Sequence, residues 1–255
     1  MPILELDGRM SLFRSPVRYP ARITVRRVIQ LGVGLFLYGF SIGMMVRAGI
    51  GTGPWDVLTQ GVSLQTGWPF GLITNVIGAI VLLLWIPLRQ KPGIGTVINV
   101  LVIGPSAEVG LFLIPAQTSP LLQTVLFLGG LALLAVATGL YLGARLGPGP
   151  RDGLMTGIHN RWGWKIWKVR TSIEVVVLGI GWALGGTVGW GTLAFALLIG
   201  PMVAVTIPLL AIPGVNGAAV ASTTPAPSTT TGPTTVGPTT GPVTGPVTSM
   251  RTAPR

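Results

Sequence analysis

Long apolar runs separated by short polar connections set the pattern of this chain. A run of about 20 apolar residues matches the ~30 Å hydrocarbon core of a bilayer. Six such runs stand out, at 28–46, 70–88, 94–115, 121–144, 171–190 and 192–213. The first and fourth carry no charge, the third is interrupted by Pro105 and Glu108, and the fifth holds Glu174 near its start. Glycine and proline recur inside them, which membrane helices tolerate better than soluble ones. The pattern predicts an all-α polytopic membrane protein with six transmembrane helices.

Composition narrows the chemistry. The 255 residues include 38 Gly, 22 Pro, one His and no Cys, and charged residues make up 9%, against roughly 25% in an ordinary soluble domain. A chain without Cys has no disulfide framework and no Cys-ligated zinc or iron–sulfur site. The single His159 rules out a multi-His metal site, so no metal is expected. The net charge of +11 raises nucleic acid as a partner, but the arginines cluster at the ends of apolar runs, the pattern that sets membrane orientation. Arg9 to Arg27 precede the first run, Arg89 and Lys91 follow the second, and Arg145 to Arg170 lie between the fourth and fifth. The other three connections carry only Arg47. Six spans with both termini in the cytoplasm put every basic loop on one side, the arrangement expected in a bacterial inner membrane. The basic start followed by an apolar run too long for a signal-peptide core reads as a retained signal-anchor. Trp162, Trp164 and Trp167, interleaved with Lys165 and Lys168, read as an interfacial anchor on anionic lipid.

The organisation that follows is a basic cytoplasmic arm (1–27), a first membrane repeat (28–117), a second (118–213) and a tail (214–255). The tail is rich in Thr, Pro and Gly and is expected to be disordered, because it has too little apolar surface to bury. The two repeats are visible as an ungapped register of 96 residues. Gly51, Gly53, Pro54, Asp56, Leu58 and Gly61 match Gly147, Gly149, Pro150, Asp152, Leu154 and Gly157. The same register pairs Gly67-Trp68 with Gly163-Trp164, Gly95-Thr96 with Gly191-Thr192, and Gly104-Pro105 with Gly200-Pro201. With three spans in each half, the second half enters the membrane from the opposite side. That inverted arrangement recurs in secondary transporters, where it supports alternating access.

The repeated motif is Gly-x-Gly-Pro-x-Asp. Its structural reading is a helix start: Gly53 or Gly149 at the cap, Pro54 or Pro150 in the first turn, Asp56 or Asp152 complementing the exposed N–H groups. Its functional reading is a site in which Asp56 and Asp152 bind a cation or carry a proton, one motif facing each side of the membrane as a pair of gates. Gly51 and Gly147 allow the sharp turn before each motif. Glu108 lies inside the third run, where a carboxylate is costly and is either paired or functional; Arg47, at the end of the first run, is its expected partner. Glu174 is one helical turn from Arg170 and forms an i,i+4 pair near the inner surface. His159 reads as a solvated loop residue. Gly39/Gly43 and Ala135/Gly139 have small-xxx-small spacing, suited to close packing of the first spans of the two halves.

No nucleotide-binding loop, Ser/His/Asp set or His-Glu-x-x-His motif occurs. Neither an enzyme nor a bound cofactor is expected. The segments 46–58, 86–96 and 146–157 resemble YczE/YitT-type bacterial integral membrane proteins, and the resemblance covers about 28–210. It implies a bacterial inner-membrane protein and brings no substrate with it. Two functions fit: a secondary transporter or channel for a small solute or ion, or a non-transporting membrane factor that assists or regulates a partner complex. Polar residues converging on a midplane cavity favour the first; a dry, packed centre favours the second.

Overall fold

The structure is a computed structural model that describes residues 25–212. These form eight helices and no strand: α1 (Val25–Ala48), α2 (Pro54–Thr66), α3 (Phe70–Leu83), α4 (Ile94–Leu113), α5 (Pro120–Gly143), α6 (Pro150–Trp162), α7 (Ile166–Ala183) and α8 (Trp190–Leu210). The expected tail and all of the expected arm but its last three residues lie outside the described residues.

Four helices, α1, α4, α5 and α8, are long and apolar enough to cross a membrane. The consecutive α2 and α3, bent by 117°, add a fifth crossing if counted as one broken span. Six simple spans therefore do not follow from length and composition. The second run yields only the 14 residues of α3 before the chain breaks into turns. The fifth yields α7, which starts at Ile166 rather than 171 and ends at Ala183. Lys168, Arg170 and Glu174 thus fall inside a helix of 18 residues.

Glycines at helix crossings fix the directions of the long helices. α1 and α4 run parallel, because Gly39 backs onto Ser106 and Gly43 onto Gly110. α5 runs against α1, with Gly34 beside Tyr141 and Gly130 beside Met45. α8 runs with α5, Gly139 meeting Thr206 and Gly143 meeting Leu210. α3 runs against α4, Gly71 lying on Glu108 and Gly78 on Val100. The small-xxx-small pairs thus pack each first helix on the last helix of its own half rather than on each other. The face at which α1 begins is called proximal below, and the face at which it ends distal.

The two short helices do not lie at the faces. After α1, the chain turns back into the bundle, placing Gly51 against Thr192 and Gly53 against Phe195. Phe195 is five residues inside α8, so α2 starts about 8 Å below the distal end of that helix at 1.5 Å per residue. From there α2 runs outward beside α7: Trp55 clusters with Val177, and Leu58 packs on Gly181. α6 does the same from the other side. Gly147 meets Thr96, Gly149 approaches Asn99, and Gly157 reaches Leu88 in the proximal turns. Gly53 and Gly149 are the N-caps, with φ −62° and −63° and ψ 154° and 157°. Pro54 and Pro150 take the first helical position, where a missing N–H costs nothing. Gly67 and Gly163 end the helices in the left-handed conformation.

Positions 96 residues apart share a backbone conformation at the turns. The positive-φ residues among those described pair completely: Gly49 with Arg145, Gly51 with Gly147, Gly67 with Gly163, and Arg89 with Gly185. Contacts between the halves are reciprocal as well. Gly191 N–H donates to Ile50 O at 2.8 Å, and Gly95 N–H donates to Leu146 O at 2.9 Å.

Candidate functional site

The inward starts of α2 and α6 bring the two copies of the motif together. Arg151 and Trp55 are equivalent positions in the register, and they touch: the guanidinium lies 5.0 Å from the centroid of the indole. Arg151 Nη2 is 3.9 Å from Asp56 Oδ1. Asp56 is 3% exposed, and its Oδ1 has no hydrogen-bond partner. Buried carboxylate oxygens are rarely left so, because the lost hydration is not replaced. The expectation that the motifs face opposite sides therefore fails; the chain re-enters the bundle before each motif, and the two helix starts meet.

Asp152 receives a hydrogen bond from the Tyr141 hydroxyl at 3.1 Å. Tyr141 stands edge-on to Tyr38, with ring centroids 5.7 Å apart. These residues, with Thr74, Asn99 and Arg151, line a cavity of about 70 Å³ between α3, α4 and the start of α6. That volume holds a couple of waters or a solute of a few heavy atoms. Asp152 lies on the cavity wall and is exposed, whereas Asp56 is buried.

The charges nearly balance. Two carboxylates and one guanidinium leave one negative charge, and each helix N-terminus contributes about half a positive charge. Arg151 is the one long, flexible member of the set, and its side chain is 28% exposed. It is held by the Trp55 face and a long ion pair rather than by a bidentate grip.

The remaining predicted residues have structural partners. Gly51 and Gly147 sit tightly against the opposite half, with Thr192 Oγ1 2.6 Å and Thr96 Oγ1 2.7 Å from where a Cβ would stand. Both have positive φ, 108° and 142°, so glycine is required there on two counts. Pro150 O accepts a hydrogen bond from the Trp85 indole at 3.0 Å, and Pro54 is buried at the start of α2. Glu108 does not pair with Arg47. Its Oε1 accepts the N–H of Gly71 at 2.6 Å, in the first turn of α3, where the helix end carries partial positive charge. Arg47 instead donates Nε–H and Nη2–H to Leu111 O, the former at 2.9 Å, and so caps the end of α4. Arg170 and Glu174 pair at 3.0 Å as expected, though well inside α7 rather than at its surface end. His159 lies in the last turn of α6, and its Nδ1 is 2.6 Å from Trp164 O.

Sequence reasoning missed Tyr38, Asn99, Tyr141, Trp55 and Arg151. The last two carried a usable signal, since they fill the one variable position between Pro and Asp in each motif. The tyrosines and Asn99 have no such mark; only the packing of α1, α4 and α5 brings them to the motif.

Similar proteins agree with the membrane reading. An uncharacterized protein of Haemophilus influenzae is 39% identical over 169 residues, 66% of this chain and 78% of the relative. The uncharacterized membrane protein YczE of Bacillus subtilis is 30% identical over 177 residues, 69% of this chain and 82% of the relative. The uncharacterized protein YyaS of the same organism is 27% identical over 188 residues, 72% of this chain and 94% of the relative. No solved structure matches the chain. The apolar helices and these relatives describe a multi-pass helical membrane protein of YczE type. The match of residues 25–208 to its family model shows that the chain belongs to the family of unknown function DUF6198.

Proposed function

We propose that this protein is a secondary transporter or channel of the bacterial cytoplasmic membrane that moves a small monovalent cation. The observation that carries this reading is the buried Asp56 Oδ1, without a hydrogen-bond partner and only loosely paired with Arg151, at the meeting point of two inward-starting helices. Half-helices that end near the midplane of an inverted repeat form substrate and ion sites in such carriers. Six crossings follow if α1, α3, α4, α5, α7 and α8 each traverse the bilayer and α2 and α6 enter it halfway. The parallel and antiparallel pairings support that count and an inverted second half. The basic residues then gather on the proximal face, which makes it cytoplasmic.

The chemistry favours a cation carrying N–H donors. Arg151 already holds one such group against the Trp55 face and beside Asp56. A free guanidinium or ammonium ion that takes its place leaves the local charge unchanged and supplies donors to Asp56 Oδ1. Asp152, held by Tyr141, is the second carboxylate of the path.

The test is flux in proteoliposomes loaded with a pH-sensitive dye, driven by an inward guanidinium or sodium gradient. The wild type is expected to release lumenal protons or pass a cation current, and Asp56→Asn to lose at least tenfold of it. No flux with either cation in the wild type refutes the reading and leaves the non-transporting factor in its place.

A further inference from the structure

The two halves share their turn conformations but differ in one seam. In the first half, α3 is zipped to α4. Glu108 accepts the Gly71 N–H, Asn75 Oδ1 accepts the Gly104 N–H at 3.0 Å, and Gly78 rests on Val100. The equivalent helices of the second half, α7 and α8, meet at no more than a marginal contact. A Cβ on Gly200, the counterpart of Gly104, meets nothing within 4 Å. The sequence follows the same division, because Ala204 stands where Glu108 does and Thr171 where Asn75 does.

α7 has not simply rotated away. Val81, Leu58 and Ile77 share one apolar cluster with their counterparts Val177, Leu154 and Ile173. Both α3 and α7 therefore turn the same face to the centre. Thr74 and Gly78 of α3 line the cavity beside Asp152; the residues at those positions in α7 are Arg170 and Glu174. Glu174 is eight residues into α7, about 12 Å along the helix at 1.5 Å per residue. The side chains of Arg170 and Glu174 are 46% and 31% exposed, and Asp152 is exposed as well. α6, which carries Asp152, packs against α7. Charged groups inside a span are costly in lipid, so they pair with one another, as Arg170 and Glu174 do, and face the bundle interior or a water-filled space.

We infer that the gap between α7 and α8 is a water-filled entrance to the central site, lined by Arg170, Glu174 and Asp152, and that the α3–α4 seam is the same passage closed. Glu108 latches the closed copy near the distal face. The open copy, its counterpart in the inverted second half, leads to the proximal face. An exchange of the two forms between the halves opens the site to the opposite side. The inference deepens the transport reading and rests on it for its purpose, but its test needs no substrate.

The natural chain has no Cys, so single cysteines report cleanly. Thr171→Cys and Ala196→Cys in the open gap are compared with their counterparts Asn75→Cys and Val100→Cys in the closed seam. The probe is a membrane-impermeant trimethylammonium methanethiosulfonate, applied to right-side-out and inside-out vesicles. It reacts only with thiols that reach water. The open pair is expected to react at least tenfold faster than the closed pair, and from the proximal side. Equal rates, or reaction of the open pair from the distal side alone, overturn the entrance. Adding Glu108→Ala to Val100→Cys is expected to raise its rate from the distal side at least fivefold; an unchanged rate overturns the latch. Labelling as expected in a protein that moves neither guanidinium nor sodium supports the entrance while refuting the transport reading.

Discussion

Asp56→Asn is expected to make the protein more stable while removing its activity. Asp56 Oδ1 is buried without a hydrogen-bond partner, and an unsatisfied buried group of this kind costs about 1–3 kcal/mol. Replacing the carboxylate removes the charge, the larger part of that cost, and leaves a neutral polar atom in its place. The change also loses the contact with Arg151, but at 3.9 Å to a partly hydrated guanidinium that loss is about 0.5–1 kcal/mol. The net gain is about 1 kcal/mol, or about 2–4 °C in the melting temperature of a chain this size. Arg151→Met has the opposite sign. It keeps a stem against Trp55 but strands Asp56 without a countercharge. Removing one partner of a fully buried pair costs about 3–5 kcal/mol, and the 28% exposure of the Arg151 side chain brings this to about 2–3 kcal/mol by solvent screening. The double variant is expected to melt near Asp56→Asn, because the stranded charge is gone; this non-additivity is the signature of direct coupling. The assay is thermal unfolding of detergent-purified protein followed by tryptophan fluorescence. A loss of stability in Asp56→Asn equal to that in Arg151→Met refutes the reasoning, since it makes Asp56 an ordinary structural cap.

Four further outcomes follow from the geometry. Gly43→Leu places a side chain where Ala107 O and the Gly110 Cα lie 2.8 and 2.9 Å from a Cβ; it is expected to wedge α1 from α4 and abolish monodisperse elution on size-exclusion chromatography. Gly32→Ala, with nothing within 4 Å, is expected to elute as the wild type does. Thr96→Val removes a hydroxyl that donates to Pro148 O at 2.7 Å across the halves and accepts from Gly93 N–H at 3.3 Å, and is expected to lower stability by about 1–3 kcal/mol in the same melting assay. In intact cells, Thr118→Cys in the exposed distal loop is expected to react with an impermeant thiol reagent, and Lys91→Cys in the proximal loop only after permeabilisation; the reverse pattern inverts the assigned orientation.

What the sequence made legible is what depends on local covalent preference. Gly-Pro followed two residues on by Asp, outside any long apolar run, marks a helix start, so the onsets of α2 and α6 at Pro54 and Pro150 follow from the motif. The apolar runs locate the four long helices because hydrophobic length is itself the requirement for crossing. The turns at Gly51, Gly67, Gly147 and Gly163 were legible because they need glycine at positive φ. Depth was not legible. Nothing local to Gly49–Gly53 says that the chain folds back inward before α2; that is set by Thr192 and Phe195, far along the chain. For the same reason Arg47 and Glu108, both placed at the distal end by their runs, were expected to pair. Each instead answers a nearer demand, Arg47 the free carbonyl of Leu111 and Glu108 the free N–H of Gly71. The i,i+4 pair of Arg170 and Glu174 was legible as a pair, but its depth was not, because α7 begins before the apolar run does.

The central claim is that the two motifs, one from each half, meet inside the bundle. Cross-linking tests it most directly. Trp55→Cys and Arg151→Cys are introduced together into this cysteine-free chain, with a protease site inserted at 117–118 between the halves. Membranes are treated with a short bifunctional thiol reagent, cleaved and run on a denaturing gel. The pair Met44→Cys and Gly130→Cys is the control, since the Met44 Cβ lies 3.1 Å from where a Gly130 Cβ would stand. The account predicts that both pairs hold the two halves together as one band. Separation of the halves in the 55/151 pair, with the control linked, places the motifs apart and contradicts it.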